Sequence, residues 1–244
     1  AYMWRYADNL RSLYETPAVG ADSDNQFAKR SQVAKIIRTA RRGKRTLLTE
    51  VESKEILAAY GISVVKTHIA FSEEEAVKIA ESIGSSVVLK VYSATITHKT
   101  DVGGVKLNLH GAVAVRRAYH EIELAVSKHN RGEDFLGVVV EPMIAVDGCE
   151  LILGSSLDPQ FGPVLLFGAG GPLVEIFKDR ALALPPLNAT LARRVIEQTR
   201  IFAALKGVRG RGPAYLAALD QLLVRFSQLV AEQRWIKEID INPL

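Results

Sequence analysis

Near the end of the sequence three oxygen-bearing side chains, Glu238, Asp240 and Asn242, alternate with Ile239 and Ile241. Successive side chains of a strand point to opposite faces, so the oxygens share one face and the isoleucines the other. Such a row suits a hard cation. Mg²⁺ needs only one or two protein carboxylates when phosphate oxygens complete its shell. A half-buried strand with its polar face in water shows the same alternation, so the row gains meaning only beside an anion site. Residues 87–109, VVLKVYSATITHKTDVGGVKLNL, offer one. An apolar run, Val87 to Leu89, delivers Lys90, a cation that burial penalises unless an anion meets it. His98 and Lys99 follow, then Gly103 and Gly104, and a second strand-like run opens at Val105. Glycines let backbone N–H groups approach oxygens and the cations offset charge, a combination that suits a polyphosphate. A surface hairpin with solvated charges is the competing reading.

Further candidates lie outside this loop. His98 is the one histidine set beside both a lysine and a glycine pair, and an imidazole can carry a phosphoryl group transiently. Glu141, Pro142, Met143 and Ile144 end an apolar run, where a carboxylate and exposed backbone could meet an adenine edge or ribose hydroxyls. Glu150 follows shortly after. Gly168, Gly170 and Gly171 form a turn whose N–H groups could converge on an anion. There is no GxxxxGK[ST] sequence, which excludes a P-loop, and no strand–GxGxxG–helix unit, which argues against a Rossmann site. Cys149 has no base near it in sequence and reads as a core residue.

These residues need elements to hold them. A helix is expected before Pro17, then a polar linker over 18–26 and a basic helix from Phe27 to Arg42. Thr49 opens a helix with Glu50, Glu52 and Glu55 early, as the positive helix N-terminus favours, and Gly61 ends it. Strands and helices then alternate. A strand is expected over Ile62–Phe71, and a helix over Ser72–Ile83 with a Ser72/Glu75 capping box. The strands bracketing the glycine loop come next, then a helix over Ala112–His129. Strands over Phe135–Ile144, Cys149–Ser155 and Val164–Phe167 lead to a strand or hairpin within Leu173–Leu184. Helices over Ala189–Lys206 and Pro213–Glu232 precede the closing strand, Ile236–Ile241. The pattern predicts two α+β lobes, 46–134 and 135–244, after a leading segment and a linker with a basic helix over 18–45.

Bulk properties narrow the function classes. The chain has 244 residues, 48% hydrophobic and 24% charged, with a net charge of +4. Basic clusters lie at residues 41–45 and 193–211, but acids are interspersed elsewhere and aromatics are sparse, so no nucleic-acid platform is expected. One cysteine excludes an intrachain disulfide and fits a reducing cytoplasm. No apolar run approaches the roughly 18 residues of a membrane span. The first residue is Ala1, not Met, and the chain stops just past a strand-like run, so a piece of a longer polypeptide is expected.

Five ordered segments, LTEVESKEILAAYGI, the lysine–glycine loop, the EPMI and ELILG pair, DPQFGPVLLFGAGG and EIDINPL, carry a resemblance over residues 46–244. They resemble the ATP-grasp domain of ADP-forming acyl-CoA synthetases, relatives of the succinyl-CoA synthetase β subunit. The resemblance implies an α/β (α+β) ATP-grasp fold of two α+β lobes with the nucleotide, ATP or ADP, between them. Lys90 and Lys99 would meet its phosphates under the loop of Gly103, Gly104 and Val105. Glu141 to Ile144 would form the adenine-side hinge, and Glu150 a ribose or lobe-closing acid. Asn242 matches a Mg²⁺-ligating asparagine, with Glu238 beside it, and Asp240 an acid that positions a phosphohistidine. His98 matches a second histidine proposed to relay the phosphoryl group. The implied reaction converts acyl-CoA, ADP and phosphate to carboxylate, ATP and CoA. The implied partners are CoA-binding and CoA-ligase domains, in the same or a companion chain, with residues 1–17 as the tail of the latter. The CoA-binding domain with its own histidine and a further metal-ligating aspartate are not in these residues, so nucleotide binding without the complete reaction is expected. A regulatory module fused to an acyltransferase and a carboxylate–amine ligase are the alternatives.

Overall fold

The computed structural model describes residues 24–96, 98–129, 134–144, 148–171, 179–208, 212–242 and 244. The helix expected before Pro17 lies outside them. The chain forms two compact units, one built from Gln32–Ala58 and Ser63–Val146, the other from Ala59–Ile62 and Asp147–Leu244 with the residues up to Ser31.

In the first unit the elements are α1 (Asp24–Arg42, from Gln32 onward), α2 (Glu50–Ala59, up to Ala58), β1 (His68–Ala70), α3 (Glu73–Ile83), β2 (Val87–Tyr92), β3 (Val105–Leu109), α4 (Gly111–His129) and β4 (Gly137–Pro142). The four strands form one antiparallel sheet in the order β1–β4–β2–β3. Strand alternation sends Val87, Leu89 and Val91 of β2 and Val138 and Val140 of β4 to one face. There they meet Ala76 and Val77 of α3 and Val115, Ala118, Ile122 and Val126 of α4 in a dry core. The opposite face carries Lys90 and Glu141, and its polarity is what makes it a site.

Local chemistry fixes the helix starts. At α2, the Thr49 hydroxyl accepts the Glu52 N–H (3.3 Å) and the Glu52 carboxylate accepts the Thr49 N–H (2.8 Å), a reciprocal capping box. Arg45 clamps the same carboxylate with two hydrogen bonds of 2.8 and 2.6 Å. At α3, Ser72 accepts the Glu75 N–H as expected, but the Glu75 carboxylate reaches one residue further back, to the N–H of Phe71 (2.8 Å). The strand expected over Ile62–Phe71 shrinks to His68–Ala70, because β4 pairs with those three residues alone. The division expected between residues 134 and 135 also shifts. β4 belongs to the first sheet, between β1 and β2, and an apolar run such as Val138–Val140 does not tell from sequence which sheet it joins.

The second unit contains β5 (Leu151–Asp158), β6 (Gly162–Ala169), β7 (Arg180–Ala183), α5 (Ala189–Glu197), α6 (Ile201–Leu205), α7 (Leu216–Glu232) and β8 (Glu238–Ile241). Its antiparallel sheet runs β7–β6–β5–β8. Leu153 and Phe167 from the sheet are buried, as are Ile196, Leu223, Phe226 and Leu229 from the helices. The single helix expected over Ala189–Lys206 breaks after Glu197. There the Asp179 carboxylate accepts the N–H groups of Arg200 and Ile201 (2.7 Å each) and starts α6 afresh. Cys149, expected in the core, lies ahead of the first buried residue of β5 and is partly exposed. No described helix is long and apolar enough to cross a membrane.

Ile122 is fully enclosed between α4 and the first sheet. Ile122→Ala is expected to cost about 2–5 kcal/mol, through lost burial and the cavity left behind. The midpoint of urea unfolding followed by circular dichroism checks it.

Candidate functional site

On the open face of the first sheet, β2 brings Lys90 opposite Val105 of β3 and Val139 of β4, and β4 brings Glu141 beside Val88. Glu141 is 4% exposed, so its charge requires partners. It has three. Lys90 donates to Glu141 Oε2 (2.9 Å), the Thr67 hydroxyl to Oε1 (2.8 Å), and Lys54 makes a close ion pair with Oε1. Helix α2 supplies the rest. Its first-turn Glu50 accepts from Lys90 (2.8 Å) and from Lys99, and Lys54, one turn later on the same helix, lies 3.0 Å from it. Three ammonium groups thus face two carboxylates, and the cluster keeps one surplus positive charge.

The electrostatics follow from this packing. Burial pushes the Glu50 carboxyl up, but hydrogen bonds from Lys90 and Lys99, with their charges, outweigh it and hold the group well below the usual carboxylate range. Burial pulls Lys90 down, and the bond and charge of Glu50, then the charge and bond of Glu141, carry it above its ordinary value. Both groups stay ionised at neutral pH.

The glycine loop works differently from the sequence expectation. The Gly104 N–H donates to Lys99 O (2.8 Å), the Gly103 N–H to Thr100 O (3.0 Å), and Gly104 O accepts the Val91 N–H (2.7 Å). Those two N–H groups close the turn on itself. A Cβ at Gly104 would lie 2.7 Å from Val91 Cγ1 and 2.9 Å from Lys99 O, so the residue is needed for close approach to β2. The loop's part in the site is to carry Lys99 back to Glu50. His98, just before Lys99, is exposed. Pro142 and Met143 are partly buried and Ile144 is exposed, and the Met143 N–H donates to Ser86 O (2.8 Å).

In the second unit, β8 lies against β5 with Asp240 opposite Gly154 and Glu238 opposite Ser156. Glu238 and Asp240 are exposed while Ile239 and Ile241 are half-buried, the expected alternation. A Cβ at Gly154 would lie 3.5 Å from Asp240 Oδ1, an ordinary contact distance, so the position beside that carboxylate does not require glycine. Burial, and then the charge of Glu238, raise the Asp240 carboxyl above its ordinary value. Asn242 is exposed, and beyond it Leu244 exchanges both backbone hydrogen bonds with Leu151 (2.9 and 3.4 Å), continuing the attachment to β5. Among the described residues no three His, Cys, Asp or Glu side chains group around a metal position. The oxygen set here is two acids and one amide. Glu150 is exposed and its carbonyl accepts the Gly170 N–H (2.7 Å), so that N–H of the second glycine turn is already engaged.

The sequence pointed to Lys90, Lys99 and Glu141, which the fold brings together, but gave Glu141 a nucleotide-facing role. In the structure it is the enclosed anchor of two lysines. Glu50, Lys54 and Thr67 are the additions. Glu50 reads from sequence as a helix-dipole acid, and the available signal was the i,i+4 spacing of Glu50 and Lys54, which sets both on one helix face.

Comparison with known proteins identifies the family. The family described as an ATP-grasp domain matches residues 39–244. The β subunit of the ADP-forming acetate–CoA ligase I of Pyrococcus furiosus is 41% identical over 197 residues, 81% of this chain and 84% of that subunit. The ADP-forming 4-hydroxybutyrate–CoA ligase of Nitrosopumilus maritimus is 40% identical over 215 residues, 88% of this chain. The chain spans 31% of that relative's length. Among solved structures, the dinucleotide forming acetyl-coenzyme A synthetase 1 of Ca. Korarchaeum cryptofilum, in complex with coenzyme A, Ca-AMPCP and HgCl+, superposes with a TM-score of 0.81 at 39% identity. It covers 86% of this chain and 91% of that one.

The depressed Glu50 carboxyl has a pH signature. Its folded value lies below the ordinary 4.5, so it contributes stability above that pH and loses it as pH falls toward the folded value. Glu50→Gln is therefore expected to destabilise by roughly 1–2 kcal/mol at pH 7. The gap to wild type should narrow steadily below pH 4.5, as read by thermal melts across that range.

Proposed function

The chain belongs to the ATP-grasp domain family, among the ADP-forming acyl-CoA ligases, and we propose that it is the nucleotide-binding module of such an enzyme, using ATP or ADP with Mg²⁺. The observation that carries the reading is the convergence of Lys90 and Lys99 on a single carboxylate, in a cluster with surplus positive charge. Two ammonium groups aimed at one anionic position form a receptor for phosphate oxygens. Arranged before the ligand arrives, they stabilise charge on a transferring phosphoryl group without reorganising during the step.

Glu238, Asp240 and Asn242 would hold the cation. Glu238 already disfavours ionisation of Asp240, and a divalent cation between these oxygens would relieve that repulsion. The relative with Ca-AMPCP bound supports a divalent metal–nucleotide as the ligand. His98, exposed beside Lys99, is the residue for phosphoryl relay. Its imidazole nitrogen would form a bond to phosphorus as the donor's bond breaks, and an ADP oxygen would then take the group and release the imidazole. The overall reaction would convert acyl-CoA, ADP and phosphate to carboxylate, ATP and CoA, with CoA-binding and CoA-ligase domains as partners. The separate β subunit and the much longer ligase among the relatives support both arrangements, a companion chain and a fused one. Their shared ligase activity favours a synthetase over a regulatory acyltransferase fusion.

Two measurements test the reading. Calorimetry is expected to show Mg²⁺–ADP binding that Lys90→Ala weakens at least about tenfold. ADP affinity indifferent to that substitution refutes it. Acid-labile ³²P labelling of the full-length protein by ATP is expected to fall in His98→Asn, and undiminished label removes His98 from the relay.

A further inference from the structure

We propose that Glu50 is a displaceable counter-ion, a carboxylate that occupies the phosphate position between Lys90 and Lys99 until nucleotide takes its place. The inference rests on the reading that Lys90 and Lys99 meet nucleotide phosphates.

The two carboxylates of the cluster are not equivalent. Glu141 sits on a central strand, is nearly fully enclosed, and is held by two lysines and a threonine hydroxyl. Removing its partners would strand a buried charge, so it belongs to the fixed frame. Glu50 stands in the first turn of α2 with 19% of its side chain exposed, against 6% for Glu141. Among the described residues, Glu50 is the one carboxylate that pairs with Lys99. It bridges the two cations the site would offer to phosphate, with the geometry an oxyanion would adopt.

Displacement also has a place to go. Lys54 Nζ lies 3.0 Å from Glu50 on the same helix, so the carboxylate can give up Lys90 and Lys99 and keep an ion pair. Lys90 keeps Glu141 at 2.9 Å, so it stays oriented while its other side opens to ligand. With Glu50 in place the two ammonium groups are held together without mutual repulsion. The cost is competition, because the phosphate must outbid a carboxylate already bound. Glu50 thus positions the lysines and sets a threshold for anions of lower charge.

Competition predicts a sign that a merely structural role does not. Mg²⁺–ADP, inorganic tripolyphosphate and adenosine would be titrated into the full-length protein as wild type, Glu50→Gln, Glu50→Asp and Lys90→Ala. Glu50→Gln is expected to bind ADP and tripolyphosphate roughly three- to tenfold more tightly than wild type, with adenosine unchanged. Glu50→Asp, whose shorter carboxylate grips the lysines less, should show a smaller gain in the same direction. It carries the test alone if Glu50→Gln does not fold. ADP affinity unchanged or weakened by the Glu50 substitutions, or an equal gain for adenosine, overturns the counter-ion role. If Lys90→Ala still weakens ADP binding in that case, the nucleotide reading stands. Failure of wild type to bind ADP, or indifference of binding to Lys90→Ala, overturns both.

Discussion

An ionised carboxylate enclosed in protein must be met by positive charge, and Glu141 imposes that requirement on everything around it. Lys90 from the neighbouring strand, Lys54 from α2 and the Thr67 hydroxyl from the segment before β1 answer it together. Each comes from a different stretch of chain, so meeting the charge also fixes helix to sheet. Breaking one contact would leave the remaining members buried and short of a partner. The surplus of lysine over glutamate then makes an arrangement that stabilises the fold also attract anions. Structural demand and binding capacity share the same side chains.

The second unit solves a different problem. Glu238 and Asp240 lie on one face of β8, with no described lysine or arginine paired to either, and partial burial, then the charge of Glu238, raises the Asp240 carboxyl. Where the first unit pairs its carboxylates with lysines, this strand carries acids that pair with no described lysine or arginine. A cation is the natural complement to such a surface.

Much of this was legible in the sequence, and the failures have specific causes. Alternation in the last strand placed Glu238 and Asp240 on one face because period two is a property of the extended backbone alone. The Thr49 helix start was legible for the same reason, a short-range capping pattern. Lys90 stood out as a cation at the end of an apolar run. Its partners were not readable, since Glu50 lies 40 residues and Glu141 51 residues away. Sequence pattern carries no information about which distant acid a strand will meet. The glycine pair misled in mechanism: glycine marks close backbone approach, and at Gly104 the approaching group is β2 of the same sheet, not a ligand. The extent of β1 was overstated because strand length depends on the partner as much as on composition.

Glu50 and Lys54, separated by one turn, ride on a helix whose start is pinned by the Thr49–Glu52 box and the Arg45 fork. Because they carry opposite signs, moving that pair out of the cluster would subtract one anion and one cation from it at once. The lysines and glutamate left behind on the sheet and loop would hold the same net charge as before. The net charge of the cluster itself is therefore the same with or without the Glu50–Lys54 pair, while the short-range fit depends on that pair closely.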